Sequence, residues 1–207
     1  MNNPLYLAYR KIKAYLEALE YRHERRIRDK SFISIGRNVR YSPFESVILN
    51  YEKTSLGDNV FINMGAHFSG HISIGDDVLI GPYVYIINGD HGFTEIGKKI
   101  YQQKRQDDGT VTIGIDCWIG ARTVITKAVT IGEGTIVGAA SVVTRNLPPY
   151  CVCVGNPCKP KKKRYSDEEL LTHLQLLGRT AEEAGALIDE RNRLLAQFDC
   201  GPSNIEK

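Results

Sequence analysis

The stretch Ile113–Pro148 reads, in blocks of six, IGIDCW, IGARTV, ITKAVT, IGEGTI, VGAASV and VTRNLP. Every block opens on Ile or Val, four of the six place Gly second, and the fifth position is mostly small or branched. An amphipathic helix repeats its apolar residue at about 3.6 and a half-buried strand at 2, so a period of six fits neither. Six-residue repeats are typical of a parallel β-helix, in which three short strands make one coil and the coils stack.

Two positions of each block have a structural meaning. The opening apolar residue is predicted to point into the bore and to stack on its equivalents in neighbouring coils. The Gly in second place is predicted to allow the corner between two flat faces. It would do so through a positive φ, or through close backbone packing that excludes a Cβ.

The same period extends towards the N-terminus. Looser blocks open at Ile35, Tyr41 and Val47. They lead into in-phase blocks that make two coils of 18 residues and open at Leu56, Ile62, Phe68, Ile74, Ile80 and Ile86. Between Gly89 and Thr110 the period fails, so this segment must leave the cylinder as a loop, and long loops in compact domains are usually functional. The sequence therefore predicts a mainly β fold, with a β-helix over residues 31–164 and an inserted loop at about 89–110.

A helix is predicted over residues 1–30, before the β-helix. It carries an apolar stripe with alternating spacings of four and three, formed by Leu5, Tyr9, Ile12, Leu16 and Leu19. A basic run from Arg22 to Lys30 follows. The stripe either caps the open end of the β-helix, which would otherwise expose strand edges, or lies on a membrane surface.

A helical extension is predicted over residues 165–207. The chain is expected to leave the β-helix after Pro148. Ser166 with Glu169 forms a capping box that opens one helix, and Thr180 with Glu183 opens a second.

Composition indicates a soluble globular protein of 207 residues with a net charge of +3, too small to indicate nucleic-acid binding. No apolar run approaches the roughly 18 residues of a membrane span, and the N-terminus lacks the apolar core of a secretory signal. Five cysteines are an odd number without framework-like spacing. We therefore expect a reduced, cytoplasmic protein.

The hexads, the inserted loop carrying His91, and the segment 154–159 (VGNPCK) together resemble the hexapeptide-repeat acyltransferases. Within that family the chain is similar to the galactoside, maltose and xenobiotic O-acetyltransferases and to the acetyltransferases of bacterial surface polysaccharides. The resemblance covers about residues 31–164. It implies a left-handed β-helix, an exception to the usual right-handed crossover, and a homotrimer with active sites in the grooves between subunits.

The resemblance also implies a reaction. The co-substrate would be acetyl-CoA, and the acceptor a hydroxyl of a sugar or polysaccharide-type molecule. The alternative acceptor is an amino-sugar nucleotide or a xenobiotic amine or alcohol. Acidic residues that bind the acceptor in galactoside enzymes have no clear counterpart in this sequence.

His91 is the candidate general base. An alcohol that attacks a thioester must lose its proton, and imidazole is the side chain suited to take it near neutral pH. The family's catalytic His occupies the matching place at the start of the inserted loop, where Asp90 or a backbone carbonyl would orient the ring. The resemblance assigns the oxyanion donor to the Ala121 N–H. It assigns an acceptor contact to Asn63, which could instead be a corner residue in the left-handed conformation.

The resemblance places the coenzyme along the later coils and against the basic segment after them. The matching positions are Trp118, Ala121, Ala139, Thr144, Arg145, Lys159 and Lys162. Lysine serves as a point charge for phosphate. Without the resemblance, residues 159–164 are a solvated basic linker, and Trp118 either lines the thioester channel or packs between subunits.

Three other functions are compatible with parts of the sequence. A γ-class carbonic anhydrase also uses a left-handed β-helix, with three histidines on zinc, but a register of 18 puts His91 above Ser73 rather than above His67 or His71. No metal site is therefore predicted. An inactive scaffold protein of the same fold is a further alternative.

Covalent catalysis by a cysteine is the third. Cys117 occupies an inward fifth position and is predicted to belong to the core, and nothing near it lowers a thiol pKa. The pair Cys151 and Cys153 is the other candidate nucleophile.

Overall fold

The computed structural model describes residues 4–48, 50–106, 109–126 and 128–198. Three sheets of short strands stack coil on coil into a prism; one helix precedes the prism and two follow it. The strands within the coils pair in parallel, which confirms the β-helix predicted from the hexads. Cys200 and the rest of the C-terminal segment lie outside the described residues.

The three faces of the prism are named A, B and C in the order in which each coil visits them. Face A contains β1 (Ser34–Ile35), β3 (Thr54–Leu56), β6 (Ile72–Ile74), β11 (Val111–Ile113) and β14 (Thr130–Ile131). Face B contains β4 (Phe61–Ile62), β7 (Leu79–Ile80), β12 (Trp118–Ile119), β15 (Ile136–Val137), β17 (Cys151–Val154) and β18 (Lys159–Lys163). Face C contains β2 (Val47–Ile48), β5 (His67–Ser69), β8 (Tyr85–Ile87), β13 (Val124–Ile125) and β16 (Val142–Val143). The helices are α1 (Pro4–Asp29), α2 (Asp167–Leu176) and α3 (Ala181–Leu195).

The bore is filled by the opening residues of the hexads, as predicted. Each is at most 3% exposed: Leu56, Ile62, Phe68, Ile74, Ile80, Ile86, Ile113, Ile119, Ile125, Ile131, Val137 and Val143. Strand register stacks them directly, as in the column Ile74, Ile113 and Ile131. Because full burial of one such side chain contributes about 1.5–3 kcal/mol, these columns are the main apolar core of the domain.

The glycines in second place serve close packing. A Cβ added to Gly120 would lie 2.6 Å from the Ala139 N. Positive φ occurs instead at the fourth position of the blocks, at Asn59, Gly65, Asp77, Tyr83, Asp116, Arg122, Ala128, Gly134 and Ala140. Of the two explanations offered for the glycines, close packing is therefore correct and positive φ is wrong.

The first coil is shifted in register. Ile35 pairs with Leu56, a separation of 21 rather than 18 residues. On face C, Ile48 pairs with Phe68 and Val47 pairs with His67. The inward residue of this block is thus Ile48, which is 5% exposed, and the block predicted to open at Val47 is displaced by one residue.

The chain does not leave the prism after Pro148, contrary to the expectation from the sequence. β17 pairs in parallel with β15 and extends face B by one strand. β18 then returns antiparallel to β17. The segment described as a linker is therefore the edge strand of face B.

The hairpin of α2 and α3 covers this end of the prism. Both capping boxes form as predicted, with Ser166 and Thr180 as N-caps. A small cluster centred on Tyr150 contains Leu170, Leu174 and Ala184. After α3, Phe198 joins the main core. The unpaired end of the coil stack is thus closed by the C-terminal hairpin.

Charged groups fix this hairpin. The fully buried guanidinium of Arg191 donates to the Tyr165 carbonyl at 2.9 Å and to the Asp167 carboxylate. Desolvation acts to raise the pKa of Asp167, but hydrogen bonds from Lys163 and Asn192 and the nearby Arg191 charge outweigh it. The pKa of Asp167 therefore lies below its ordinary value.

α1 confirms the predicted N-terminal helix, but its stripe does not cap the prism. Every side chain described from Tyr6 to His23 is exposed. The contacts are made near the end of the helix, where Arg25 donates to the Val39 carbonyl at 2.7 Å and Asp29 accepts from the Tyr41 hydroxyl at 2.9 Å. Among the described residues, no helix is both long and apolar enough to cross a membrane.

Candidate active site

His91 lies outside the prism. After β8 the chain forms an antiparallel hairpin of β9 (Asp90–His91) and β10 (Arg105–Gln106), in which His91 pairs with Arg105. The His91 side chain is exposed, and the Asp90 carboxylate accepts a hydrogen bond from the His91 backbone N–H at 3.1 Å. The hairpin thus presents an imidazole to solvent beside the corner between faces C and A.

Asn88 closes the neck of the inserted loop. Its side-chain amide donates to the His71 carbonyl at 2.8 Å and to the Gly109 carbonyl, and its Oδ1 accepts from the Ala128 N–H at 3.2 Å. One buried side chain therefore joins both ends of the loop to two coils. Sequence reasoning missed this residue, although an amide at the last position before the period fails was the available signal.

Gln103 gives the loop internal order. Its Oε1 accepts from the Glu95 N–H at 2.9 Å, and its Nε2 donates to the Lys98 carbonyl at 3.0 Å. The Gly92 N–H also donates to the Lys104 carbonyl at 3.0 Å. The segment that carries His91 is consequently a folded lobe.

Ala121 and Ala139 lie on adjacent coils at the corner between faces B and C. The Ala140 N–H donates to the Ala121 carbonyl at 2.8 Å, which stacks the two turns. Among the described residues, neither the Ala121 N–H nor the Ala139 N–H meets an acceptor, whereas the N–H groups of Gly120 and Arg122 do. The turn geometry therefore leaves two backbone donors available at this corner, each beside only a methyl group.

Asn63 lies at the same corner, three coils below Ala139. It is absent from the residues with positive φ; Gly65 takes that conformation in this turn. The Asn63 Oδ1 accepts from the Met64 N–H at 2.8 Å. The left-handed explanation for Asn63 is therefore wrong. The half-exposed Tyr83 follows β7, the strand next to that of Asn63, at the same corner.

Trp118 and Lys162 share the outer surface of face B. Trp118 pairs with Ile136, Ile136 with Val152, and Val152 with Lys162. Three strand spacings of about 4.8 Å put the backbone of Trp118 and that of Lys162 roughly 14 Å apart. Lys159 lies on the same edge strand, paired with Val154.

Thr144 and Arg145 follow β16, at the corner between faces C and A. The Arg145 guanidinium lies over the Phe198 ring, 5.4 Å from its centroid. Arg145 is therefore held by the end of the C-terminal hairpin, two coils above the root of the loop that carries His91.

The predicted site residues form two groups on one chain. His91 follows the C-terminal end of β8, whereas Ala121 precedes the N-terminal end of β13, and the two strands are parallel neighbours. About five residues at ~3.3 Å each, or roughly 17 Å, separate the two ends of face C. His91 and the Ala121 N–H therefore lie at opposite edges of one face and do not meet within a single chain.

The hexapeptide model for bacterial transferases (six repeats) matches residues 53–88 and 110–145. The gap between the two matches coincides with the inserted loop. A Staphylococcus aureus strain Mu50 protein assigned as an acetyltransferase is 35% identical over 143 residues, which are 67% of this chain and 69% of that protein. The chain belongs to the hexapeptide-repeat acetyltransferases.

This acetyltransferase is also similar to enzymes with named acceptors. The galactoside O-acetyltransferase of Escherichia coli K12 is 31% identical over 131 residues, 62% of each chain. The structure of the maltose O-acetyltransferase from Clostridium difficile 630 matches with a TM-score of 0.58 and 30% identity, covering 80% of this chain and 91% of that one. A hexapeptide-repeat acetyltransferase of Vibrio cholerae O1 biovar eltor, complexed with acetyl coenzyme A, matches with a TM-score of 0.60 and 27% identity, covering 67% and 75%. The predicted family is confirmed.

In this acetyltransferase His91 does not stand above Ser73, the position expected from a spacing of 18 residues per coil. Thr112, rather than His91, stands above Ser73, because the inserted loop takes His91 out of the coil count. His67 stacks on Tyr85 with ring centroids 5.5 Å apart. No group of three His, Cys, Asp or Glu side chains within the described part of the chain could hold a metal ion.

The cysteine candidates are buried in the core. Cys117 is 1% exposed, and burial raises the pKa of its thiol to about 12. Burial also raises the pKa of Cys151 to about 12 and that of Cys153 further. Because the thiolate is the nucleophilic form, these side chains are unsuited to carry an acetyl group.

Proposed function

We propose that this acetyltransferase transfers an acetyl group from acetyl-CoA to a hydroxyl of a sugar or polysaccharide-type acceptor, by direct attack in a ternary complex. One observation carries the proposal. The exposed imidazole of His91 lies at one edge of face C, and the unpaired N–H of Ala121 lies at the other edge. A neighbouring copy can therefore supply the half of each site that a single chain lacks. The Vibrio cholerae relative in complex with acetyl coenzyme A supports the choice of donor.

His91 acts as the general base. It takes the proton of the acceptor hydroxyl while the oxygen attacks the thioester carbonyl carbon. The Ala121 N–H of the adjacent copy donates to the oxyanion of the tetrahedral intermediate. Collapse of that intermediate expels the coenzyme A sulfur, which takes the proton from the imidazolium, so that the enzyme returns to its starting state.

The coenzyme is proposed to lie along the edge of face B and the corner next to it. The roughly 14 Å between Trp118 and Lys162 suits an extended pantetheine arm, with the thioester near the indole and the phosphates near the lysines. The free N–H of Ala139 is a donor for an amide of that arm. Lys159 completes this part of the proposed site, and Thr144 and Arg145, at the other edge of face C, are proposed to reach the coenzyme from the adjacent copy.

A trimer of left-handed β-helices is proposed as the active form. The outward side chains of face A are all Ser or Thr: Ser34, Ser55, Ser73, Thr112 and Thr130. Faces B and C instead expose large apolar side chains: Leu79 (48%), Trp118 (53%), Tyr85 (41%) and Ile87 (43%). In a trimer each prism contacts two neighbouring copies, so two of its faces are covered and the third faces solvent. Two apolar faces and one polar face fit this arrangement.

His91→Ala tests the assignment of the base. Turnover should fall by roughly 10²–10⁴-fold, while acetyl-CoA affinity and oligomeric mass stay unchanged. His71→Ala, a histidine at the loop neck whose backbone rather than side chain holds Asn88, is the matched control. Near-normal turnover of His91→Ala would remove His91 from the mechanism.

An acceptor screen tests the acceptor class. Thiol release from acetyl-CoA would be measured with neutral sugars, oligosaccharides, amino-sugar nucleotides and xenobiotic alcohols and amines. Turnover on hydroxyl acceptors that far exceeds turnover on amines supports O-acetylation. The reverse order would establish the alternative, N-acetylation.

A further inference from the structure

The first two-thirds of α1 is an isolated helix. Tyr9 is 60% exposed, Ile12 60% and Leu16 57%. A free helix of this length is only marginally stable in water, and most helical stability in proteins comes from packing of an apolar face. The part of the chain that the structure describes provides no such packing for this segment.

The exposed stripe of α1 is wider than a two-stranded seam. On a heptad pattern, the a and d positions of the described side chains are Tyr9, Ile12, Leu16 and Leu19, and the preceding g positions are Ala8 and Tyr15. No charged side chain lies within this stripe between residues 8 and 19. Heptads with apolar a, d and g positions bury a broader face than strict a and d seams, which favours more than two strands.

The charges beside the stripe favour a protein partner over a lipid surface. Arg10, Lys11 and Lys13 are opposed by Glu17 and Glu20 in the same segment. Lys13 and Glu17 form an ion pair at 3.8 Å. A membrane-surface helix needs a strongly basic polar face, and this segment is close to neutral.

Part of the basic run beyond the stripe is neutralised within the helix. Arg25 pairs with Asp29 at 2.8 Å, and Arg28 pairs with Glu24 at 3.6 Å. These acidic partners further reduce the attraction of α1 to an anionic bilayer.

The base of α1 is fixed on the apolar side of the prism. The Tyr21 hydroxyl donates to the Tyr41 carbonyl at 2.9 Å, and Arg25 donates to the Val39 carbonyl. Arg40, between these two acceptors, bridges to Phe61 of face B, and the chain then enters face C at β2. The C-terminal end of α1 is therefore anchored at the corner between the two faces that expose apolar side chains.

We infer that the stripes of three α1 helices pack together in a short parallel coiled coil at the N-terminal end of the trimer. The inference rests on the trimer of the proposed function, in which all three α1 helices are attached at the same end of the assembly. Two heptads are short for a free coiled coil, but tethering to one trimer makes their association intramolecular and raises their effective concentration. The coil would lock the trimer through a contact outside the hexapeptide domain.

Disulfide trapping tests this arrangement in the full-length protein. Leu19→Cys lies in the stripe near its C-terminal end, and Ala14→Cys lies at an f position on the opposite side of the helix. In a parallel coil, mild oxidation with diamide should cross-link two of the three chains of Leu19→Cys within minutes. The Ala14→Cys protein and the parent protein should stay uncross-linked. Equal cross-linking of both variants, or none in Leu19→Cys, would overturn the inference; an antiparallel contact also leaves the Leu19→Cys protein uncross-linked.

Two further measurements separate the inference from the proposed function. Light scattering and turnover are recorded on the same samples. A trimeric, active Leu19→Cys protein without cross-links would refute the coiled coil alone, whereas a monomeric parent protein would refute the trimer. Flotation with vesicles of phosphatidylcholine and phosphatidylglycerol should leave the parent protein in the dense fraction; co-flotation would replace the coil by a lipid-bound helix.

Discussion

Replacement of Asn88 by Ala should uncouple the inserted loop from the prism. The side chain makes hydrogen bonds to the His71 carbonyl on the preceding coil, to the Gly109 carbonyl at the far end of the loop, and from the Ala128 N–H on the following coil. Each is worth about 1 kcal/mol net, because folding exchanges hydrogen bonds with water for internal ones. The three together therefore contribute about 3 kcal/mol to the closed neck.

The consequence can be measured on the loop and on the reaction. At about 1.4 kcal/mol per tenfold change in an equilibrium constant, loss of about 3 kcal/mol should raise the population of the open loop roughly 100-fold. Hydrogen exchange should report this at the Gly92 N–H, which donates to the Lys104 carbonyl. kcat should fall by about 10- to 100-fold because His91 is no longer held, while KM for acetyl-CoA changes little.

Asn50→Ala is the matched control. Asn50 lies in the turn between faces C and A, and its Oδ1 accepts one hydrogen bond from the Gly70 N–H at 3.0 Å. It lies far from the coenzyme edge, so a small loss of stability without a selective loss of loop protection is expected. If Asn88→Ala keeps both its loop protection and its kcat, the neck does not position His91.

Three further outcomes are expected. Lys159→Ala combined with Lys162→Ala should raise KM for acetyl-CoA roughly tenfold with kcat unchanged, since phosphate contacts persist through reaction; Lys161→Ala is the control, and equal KM values at low salt would place the phosphates elsewhere. Asp167 has a depressed pKa, so its stabilisation of the hairpin is complete above the unfolded pKa of about 3.9 and is lost as pH falls through the lower folded pKa; melting temperatures of Asp167→Asn should show a weaker decline in that acidic range, and an identical decline would contradict the ion-pair assignment. Mass spectrometry after mixing with acetyl-CoA alone should find Cys117 unmodified, and a stable acetyl-cysteine there would contradict direct transfer.

The hexad pattern predicted the prism because the signal for it is repeated at every coil. The inward position recurs at a fixed spacing, so one misread block, such as the one at Val47, does not disturb the others. The edge strand β18 was missed for the opposite reason. It is antiparallel, contains Pro160, and pairs only with β17, so it carries no period of six and resembles a basic linker.

Only part of the backbone conformation at the corners could be predicted from the sequence. Gly120 indicated close packing, and the backbone confirms it. Positive φ at residues such as Tyr83 and Arg122 was not predictable from residue type, since neither is favoured in that conformation. The stacking of coils on both sides determines these turns, so tertiary structure overrides the local preference.

For the candidate site, the sequence indicated residues but not their arrangement in space. The family resemblance, together with the break in the repeat at His91, made His91 and Ala121 candidates, but the sequence does not show that they lie at opposite edges of one face. Asn88 has no partner close in sequence; its three partners are 17, 21 and 40 residues away. Only the stacking of coils brings them to one point.

The arrangement of the prism explains why the acceptor specificity cannot be predicted from the hexapeptide repeats. Inward positions are restricted to side chains that fill the bore, and second positions to glycine by backbone contact. Variation is therefore confined to the outward positions, the corners and the inserted loop. The loop lobe with His91, the corner of Asn63 and Tyr83, and the α1 and hairpin extensions are the segments that can change without disturbing the bore. Replacement of the loop between Gly89 and Thr110 by the loop of another family member should therefore change the acceptor specificity, provided that Asn88 is kept at the neck.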